Sequence, residues 1–247
     1  MKNFTAIILA AGKGTRLNLI KKNKVVKKIA GKPMINYTID HLKKAGIDKI
    51  IVVVGFQKSS VIETLGSSCT YAVQKNPIGT GNAVASALPD LSDTCQHVLV
   101  LNGDDSAFYS KADLSSLIST HLRTKADLTL LTVKKENPDQ LGRIIRDKKN
   151  KVKAIVEFRN ANPNQKKLKE VNTATYCFNR QFLEKFIKHI KKNPVSNEFY
   201  LTDMLEIAVK NHKKVSAVKL SDPNHFHGVN TMKDLESANQ KMITKTK

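Results

Sequence analysis

The chain has 247 residues and a formal net charge of +21, from 42 Lys and Arg against 21 Asp and Glu. With 40% hydrophobic and 26% charged content it fits a soluble globular protein of one large or two small domains. No apolar run is long enough to span a bilayer, no leader pattern opens the chain, and Cys69, Cys95 and Cys177 are scattered and odd in number, so a cytoplasmic protein with reduced thiols is expected.

The lysines occur in scattered pairs, among them Lys21-Lys22, Lys43-Lys44, Lys134-Lys135 and Lys213-Lys214, with few aromatics between them to stack bases. That pattern predicts a solvated basic surface that attracts phosphorylated substrates, with no specific nucleic acid and no membrane as partner.

Phe4–Ala10 is short and apolar, which predicts a buried strand. It runs into Ala11-Gly12-Lys13-Gly14-Thr15-Arg16, where two glycines permit a tight turn that aims N–H groups at an anion. Lys13 and Arg16 add positive charge, and Arg binds phosphate bidentately. Two other phosphate motifs fail. A P-loop needs Ser or Thr where Gly14 stands, and the dinucleotide fingerprint needs Gly or Ala where Leu17 stands.

Met34–Ala45 has Met34, Tyr37, Thr38, His41, Leu42 and Ala45 along one helical face, ended by Gly46. Strand, helix and strand are predicted at Lys49–Val54, Ser59–Leu65 and Thr70–Gln74. A loop with Pro77, Gly79 and Gly81 then opens a helix over Gly81–Ala87, whose N-terminus suits an anion. His97–Leu101 is a mostly apolar strand that ends in Asn102-Gly103-Asp104-Asp105. A carboxylate at the C-terminal end of a buried parallel strand sits where α/β sheets bind ligands, and Asp is a hard oxygen donor for Mg²⁺. Asp105 is taken as a solvated turn residue.

The second half is less regular. Asp127–Val133 reads as a strand, and Gly142–Arg146 and Val152–Phe158 as two strands around the turn Asp147–Lys151. Thr173–Asn179 is a strand, Arg180–Lys191 an amphipathic helix, Leu201–Lys210 a helix, Lys214–Lys219 a strand and Lys233–Lys245 a final helix. The alternation predicts an α/β fold with a parallel-rich sheet covered on both faces.

Leu9-Ala10-Ala11-Gly12-Lys13-Gly14-Thr15-Arg16, a following Lys, and Ala30-Gly31-Lys32-Pro33-Met34 resemble the signature of sugar-phosphate nucleotidyltransferases. Within that family the sequence is most similar to the uridyltransferase domains of bacterial N-acetylglucosamine-1-phosphate uridyltransferases. The resemblance implies a Rossmann-like nucleotidyltransferase fold, a mostly parallel mixed sheet with a smaller sugar-binding β subregion. It implies a nucleotidyltransferase domain over 1–230 and a C-terminal helix over 231–247, and within these 247 residues no left-handed β-helix acetyltransferase domain is expected.

The resemblance also assigns roles. Leu9, Ala10, Ala11, Gly12, Gly14 and Thr15 would line the nucleotide phosphates, and Gln74, Gly79 and Thr80 the base side. Arg16, Lys24 and Lys13 would be the catalytic cations, with Asn23-Lys24 standing where the family usually has Pro-Lys, in a segment one residue longer. Asp104 and Asn230 would hold Mg²⁺, while His225 and His227 are ordinary loop residues. Gly142, Glu157, Asn172, Tyr200 and Thr202 would read the sugar. Leu141 replaces a usual Tyr, Ala174 a frequent Gly, and Asn102 a usual Tyr.

The reaction so implied is UMP transfer from UTP to N-acetylglucosamine 1-phosphate, by a monomer or small homo-oligomer. Glucose 1-phosphate uridylyl- or thymidylyltransfer, and a non-catalytic sugar-nucleotide-binding role, are the alternatives.

Overall fold

The computed structural model describes residues 1–17 and 21–246. The chain begins with β1 (Phe4–Ala10), a hairpin of β2 (Lys28–Ile29) and β3 (Lys32–Pro33), α1 (Met34–Lys44), β4 (Ile50–Val54) and α2 (Lys58–Leu65). Next come β5 (Thr70–Val73), α3 (Thr80–Ala87), β6 (His97–Asn102), α4 (Lys111–Thr124) and β7 (Leu128–Lys134). It continues through β8 (Arg143–Arg146), β9 (Val152–Val156), α5 (Pro163–Lys166), β10 (Glu170–Asn179) and α6 (Arg180–Phe186). It closes with α7 (Asp203–Lys210), β11 (Val215–Lys219) and α8 (Met232–Thr246).

Among the described residues the main sheet has nine strands, in the order β11-β7-β10-β6-β1-β4-β5, with β8 paired to β10 and β9 to β8. β1 is parallel to β4 and β6, β5 is parallel to β4, and β11 is parallel to β7. β10 runs antiparallel to both β6 and β7. This is the expected Rossmann-like α/β fold with a mostly parallel mixed sheet. The β8–β9 hairpin supplies a small side sheet.

Side chains alternate across each strand, so the continuous apolar runs feed two cores. Phe4, Ala6 and Ile8 of β1 pack with Ile35 and Leu42 of α1, Val61 of α2 and Leu117 of α4 on one face. Ile7 packs with Val84 of α3, Phe182 of α6 and Met204 of α7 on the other. A third cluster joins Ala238 and Met242 of α8 to Leu17, Ile29 and Met34, which seats the final helix beside the β2–β3 hairpin. None of the described helices is long and apolar enough to cross a membrane.

Several expected boundaries change. Helix α4 was not expected at all, although Ser110 and Asp113 form a reciprocal capping box before it and Leu114, Leu117, Ile118 and His121 line its buried stripe. The predicted helix Arg180–Lys191 ends at Phe186 and tightens into a 3₁₀ turn over Ile187–His189. The predicted strand Val152–Phe158 stops at Val156, because Phe158–Asn160 forms another 3₁₀ turn. β10 begins at Glu170 rather than Thr173, and its pairing with β7 is interrupted between Asn172 and Tyr176. Helix α7 starts two positions later than predicted, at Asp203.

β1, β4, β5 and β6 all point their carboxyl ends at one rim. Because β10 is antiparallel to β6, its N-terminal half reaches the same rim. Glycine loop, Gln74, Asp104 and Asn172 are thereby brought to one edge of the sheet, where α/β folds bind ligands.

Candidate active site

The glycine loop leaves β1 and is held from below. Leu9 O accepts from Gly103 N at 3.0 Å, and Ala11 O accepts from Phe56 N at 3.1 Å. Thr15 and Arg16 are exposed on a 3₁₀ turn, Thr15–Leu17, and Lys13 is exposed just before it. Gly14 has φ +59, and a Cβ there would lie 3.3 Å from Lys24 Cβ, so the Lys24 stem crosses directly over this glycine. The longer segment expected between the two halves of the signature runs through 18–20, which lie outside the described residues.

Lys24 ends in an ion pair with Asp104, and its Nζ lies 3.2 Å from Asn230 Oδ1. Arg16 Nη2 donates to the same Asn230 oxygen at 2.9 Å. Val229 N donates to Asp104 O at 3.1 Å, which ties the distant 228–230 loop to the end of β6. Asp234 fixes that loop from the other side, accepting from Asn230 N at 3.0 Å and Thr231 N at 2.8 Å. Arg16 and Lys24 thus meet Asn230, a residue more than two hundred positions away in the chain.

Asp104 and Asn230 present two oxygens to one point, and the cation standing there is the Lys24 ammonium. This fits a divalent ion that prefers oxygen ligands. No group of three or more His, Cys, Asp or Glu among the described residues could hold a metal, so substrate oxygens and water would complete the shell. His227 edges the Phe108 ring at 5.4 Å, and His225 Nδ1 lies 2.8 Å from Asp113 Oδ2, so both rings are held in packing contacts beside the loop.

Asp105 corrects the sequence reading. It is buried, not solvated, because the turn after β6 packs inward, with Ser106 Oγ 2.8 Å from Thr38 Oγ1 and Ala107 and Phe108 clustered with Met34 and Ala238. Asn102 Nδ2 donates to its Oδ2 at 3.1 Å, while its Oδ1 finds no partner among the described residues. Burial pushes its carboxyl well above the ordinary range, and the neighbouring Asp104 charge adds to the shift.

At the end of β5 Gln74 is buried, and its Nε2 donates to Gly79 O at 3.1 Å and Asn82 Oδ1 at 2.9 Å. Its amide donor is thereby committed, which leaves Oε1 as the acceptor of this side chain. Gly79 has φ +112, and a Cβ there would overlap Phe199 O at 2.4 Å. Thr80 does not face open space with its hydroxyl. It accepts from Leu201 N at 2.9 Å and so docks the 199–202 segment against this loop.

Beside the β8–β9 hairpin a Cβ at Gly142 would lie 3.5 Å from Glu157 Oε1. The Thr202 side chain bonds Glu157, whose carboxyl is raised by burial against the opposing pull of Arg159 and Thr202. Asn172 Nδ2 donates to Tyr176 OH at 2.7 Å, and Asn172 Oδ1 accepts from Ala174 N at 3.1 Å. Tyr200 turns its hydroxyl to Ser196 Oγ at 2.8 Å. Two groups were missed. Tyr176 is fully buried beside Asn172, and Asp203 is pushed up to about 6 by burial with help from Glu206 and Glu157. Asp203 directly follows Thr202 in the sequence, which was the available signal.

The family model described as Nucleotidyl transferase matches residues 5–245. Bifunctional protein GlmU of Acetivibrio thermocellus is 37% identical over 238 residues, covering 96% of this chain and 51% of that protein. Bifunctional protein GlmU of Caldicellulosiruptor saccharolyticus is 41% identical over 244 residues, covering 98% of this chain and 52% of that protein. The chain spans about half the length of these curated relatives. A solved structure from Bacillus anthracis, described as a glucose-1-phosphate thymidylyltransferase in complex with sucrose, shares the fold with a TM-score of 0.81 and 23% identity, over 96% of this chain and 94% of that one.

Proposed function

The chain belongs to the nucleotidyl transferase family, and from that premise we propose that it transfers UMP from UTP to N-acetylglucosamine 1-phosphate. A phosphate oxygen of the sugar 1-phosphate bonds to the α-phosphorus of UTP in line, the bond from that phosphorus to the bridging oxygen breaks, and pyrophosphate leaves. The attacking phosphate is already ionised, so no general base is needed. Catalysis is then positioning and charge neutralisation.

The observation that carries the reading is the meeting of Arg16, Lys24, Asp104 and Asn230 at the rim that also holds the glycine loop. Mg²⁺ bound by Asp104 and Asn230 would neutralise phosphate charge and hold nucleotide and sugar phosphates together. Arg16 and Lys13 would steady the leaving pyrophosphate, and Lys24 would neutralise oxygens at the transferred phosphorus. Gln74 Oε1 suits the N3–H of uracil, and equally that of thymine. Glu157, Asn172, Thr202 and the Gly142 backbone supply acceptors and donors for sugar hydroxyls and an acetamido group, with Tyr200 a wall residue.

The test is pyrophosphate release by purified protein across a matrix of nucleoside triphosphates and sugar 1-phosphates. UTP with N-acetylglucosamine 1-phosphate is expected to be turned over fastest. Preference for another pair moves the assignment to a sister transferase, and turnover of none leaves the non-catalytic reading.

A further inference from the structure

We infer that Asn23 is a positioning residue for the nucleotide phosphates: its buried carboxamide sets the peptide planes of the glycine loop and starts the turn that aims Lys24. The inference rests on the reading of that loop as a triphosphate grip. Asn23 is 1% exposed although Lys21 and Lys22 beside it are exposed. Its Nδ2 donates to Ala10 O at 2.9 Å and Phe56 O at 2.8 Å, with a longer bond to Gly12 O at 3.3 Å. Its Oδ1 accepts from Val25 N at 3.1 Å, which caps the 3₁₀ turn Lys24–Val26. Its own N–H donates to Ser60 Oγ at 3.0 Å.

One side chain therefore joins three separate segments. In a trans peptide the C=O and N–H point in opposite directions. Drawing Ala10 O and Gly12 O toward Asn23 consequently turns the N–H groups of Ala11 and Lys13 away from it, toward the side from which phosphates would approach. The bond to Val25 N fixes the first turn after Asn23, and Lys24 leaves that turn across Gly14 to reach Asp104. Asn23 has φ −66, a value that proline also adopts. A proline would keep this backbone angle but would supply none of the four side-chain contacts, nor the N–H taken by Ser60.

The experiment compares Asn23→Ala, Asn23→Asp and Asn23→Pro with the parent. The parent's preferred nucleotide is fixed first across the common nucleoside triphosphates, which tests the functional reading. The ratio of variant to parent with that nucleotide tests Asn23. Asn23→Asp keeps the acceptor for Val25 N but turns a carboxylate toward three carbonyl oxygens. All three variants are expected to lose roughly 10- to 100-fold in kcat/KM for the nucleotide while KM for the sugar phosphate stays within about threefold. Circular dichroism and Tm identify any variant that fails to fold, and the remaining variants decide. Two results would overturn the inference. One is unchanged nucleotide kinetics in a folded Asn23→Asp or Asn23→Ala. The other is full activity of Asn23→Pro, which would reduce the residue's role to its backbone angle.

Discussion

The Lys24 ammonium rests on the Asp104 carboxylate and lies 3.2 Å from Asn230 Oδ1, so a cation of the chain stands between the two oxygens proposed for Mg²⁺. A metal ion must displace it, and nucleotide phosphates offer the displaced ammonium another anion. Metal and nucleotide should then favour each other's binding. Lys24→Met removes the competitor. A unit charge at about 4 Å is worth about 1 kcal/mol in a water-like medium, so affinity for Mn²⁺ alone should rise about fivefold, while turnover collapses. Mn²⁺ titration followed by electron paramagnetic resonance, without nucleotide, reads this directly. Unchanged or weaker Mn²⁺ binding would show that Lys24 does not compete.

Arg16 is exposed and bonded to Asn230, and the Asp104 side chain is 19% exposed, so neither anchors the core. Arg16→Ala and Asp104→Ala should each lower turnover by at least about 100-fold, the scale of losing a charge-stabilising group, with little change in Tm. Stopped assays of pyrophosphate release measure the first effect and thermal scans the second. Near-parental rates in both variants are incompatible with phosphate transfer at this rim.

The parallel strands β1, β4 and β6 were legible because burial on both faces demands continuous apolar runs. Helix α4 was legible too, through its capping box and the spacing of Leu114, Leu117 and Ile118. The helix at Arg180 was overextended because Ile187 and Ile190 prolong the apolar periodicity into a 3₁₀ turn. The start of β10 was hidden by its polar Glu170 and Asn172 and by the break in pairing after Asn172. Motif order brought Gln74, Asp104 and Asn230 to one edge, but contacts were a different matter. What Lys24 touches, and the burial of Asp105, depend on residues remote in sequence. The sequence could name Asn23 as a departure but not show the three segments it joins.

Ala174 supplies a stability test. It has φ +55 within the interrupted stretch of β10, a conformation that costs a side-chain-bearing residue about 1–2 kcal/mol. Its N–H is committed to Asn172 Oδ1 at 3.1 Å, so the Asn172 side chain depends on this strained residue. Ala174→Gly relieves the strain, and the extra freedom of glycine in the unfolded chain returns about half of the gain. A net stabilisation of about 0.5–1 kcal/mol is expected, or a Tm rise of about 1–4 °C for a chain of this size. Differential scanning calorimetry measures it, and a lower Tm would mean the Ala174 methyl contributes more by packing than its backbone loses.

His97 and His121 make stability depend on pH. His97 Nδ1 lies 3.2 Å from His121 Nε2, and His121 Nδ1 lies 2.9 Å from Thr129 Oγ1. Phe4 stacks on His97 at 4.8 Å. Burial, with the second ring's charge added, lowers His121 to about 4, and burial lowers His97 as well. Between the unfolded value of about 6.5 and the folded value, the unfolded chain binds more protons, so stability rises with pH. The stabilisation from keeping His121 neutral is complete above that window and is lost as pH falls through it, up to about 3 kcal/mol at about 1.4 kcal/mol per pH unit. Asp203, raised to about 6, acts in the opposite direction, because the folded chain takes up its proton first on acidification. His121→Gln keeps a polar side chain that does not titrate and leaves Asp203 untouched, so the difference between parent and variant isolates the histidine. Tm measured from pH 7.5 to 4.5 should fall more steeply in the parent, and parallel slopes would show that this pair is not the acid-sensitive element.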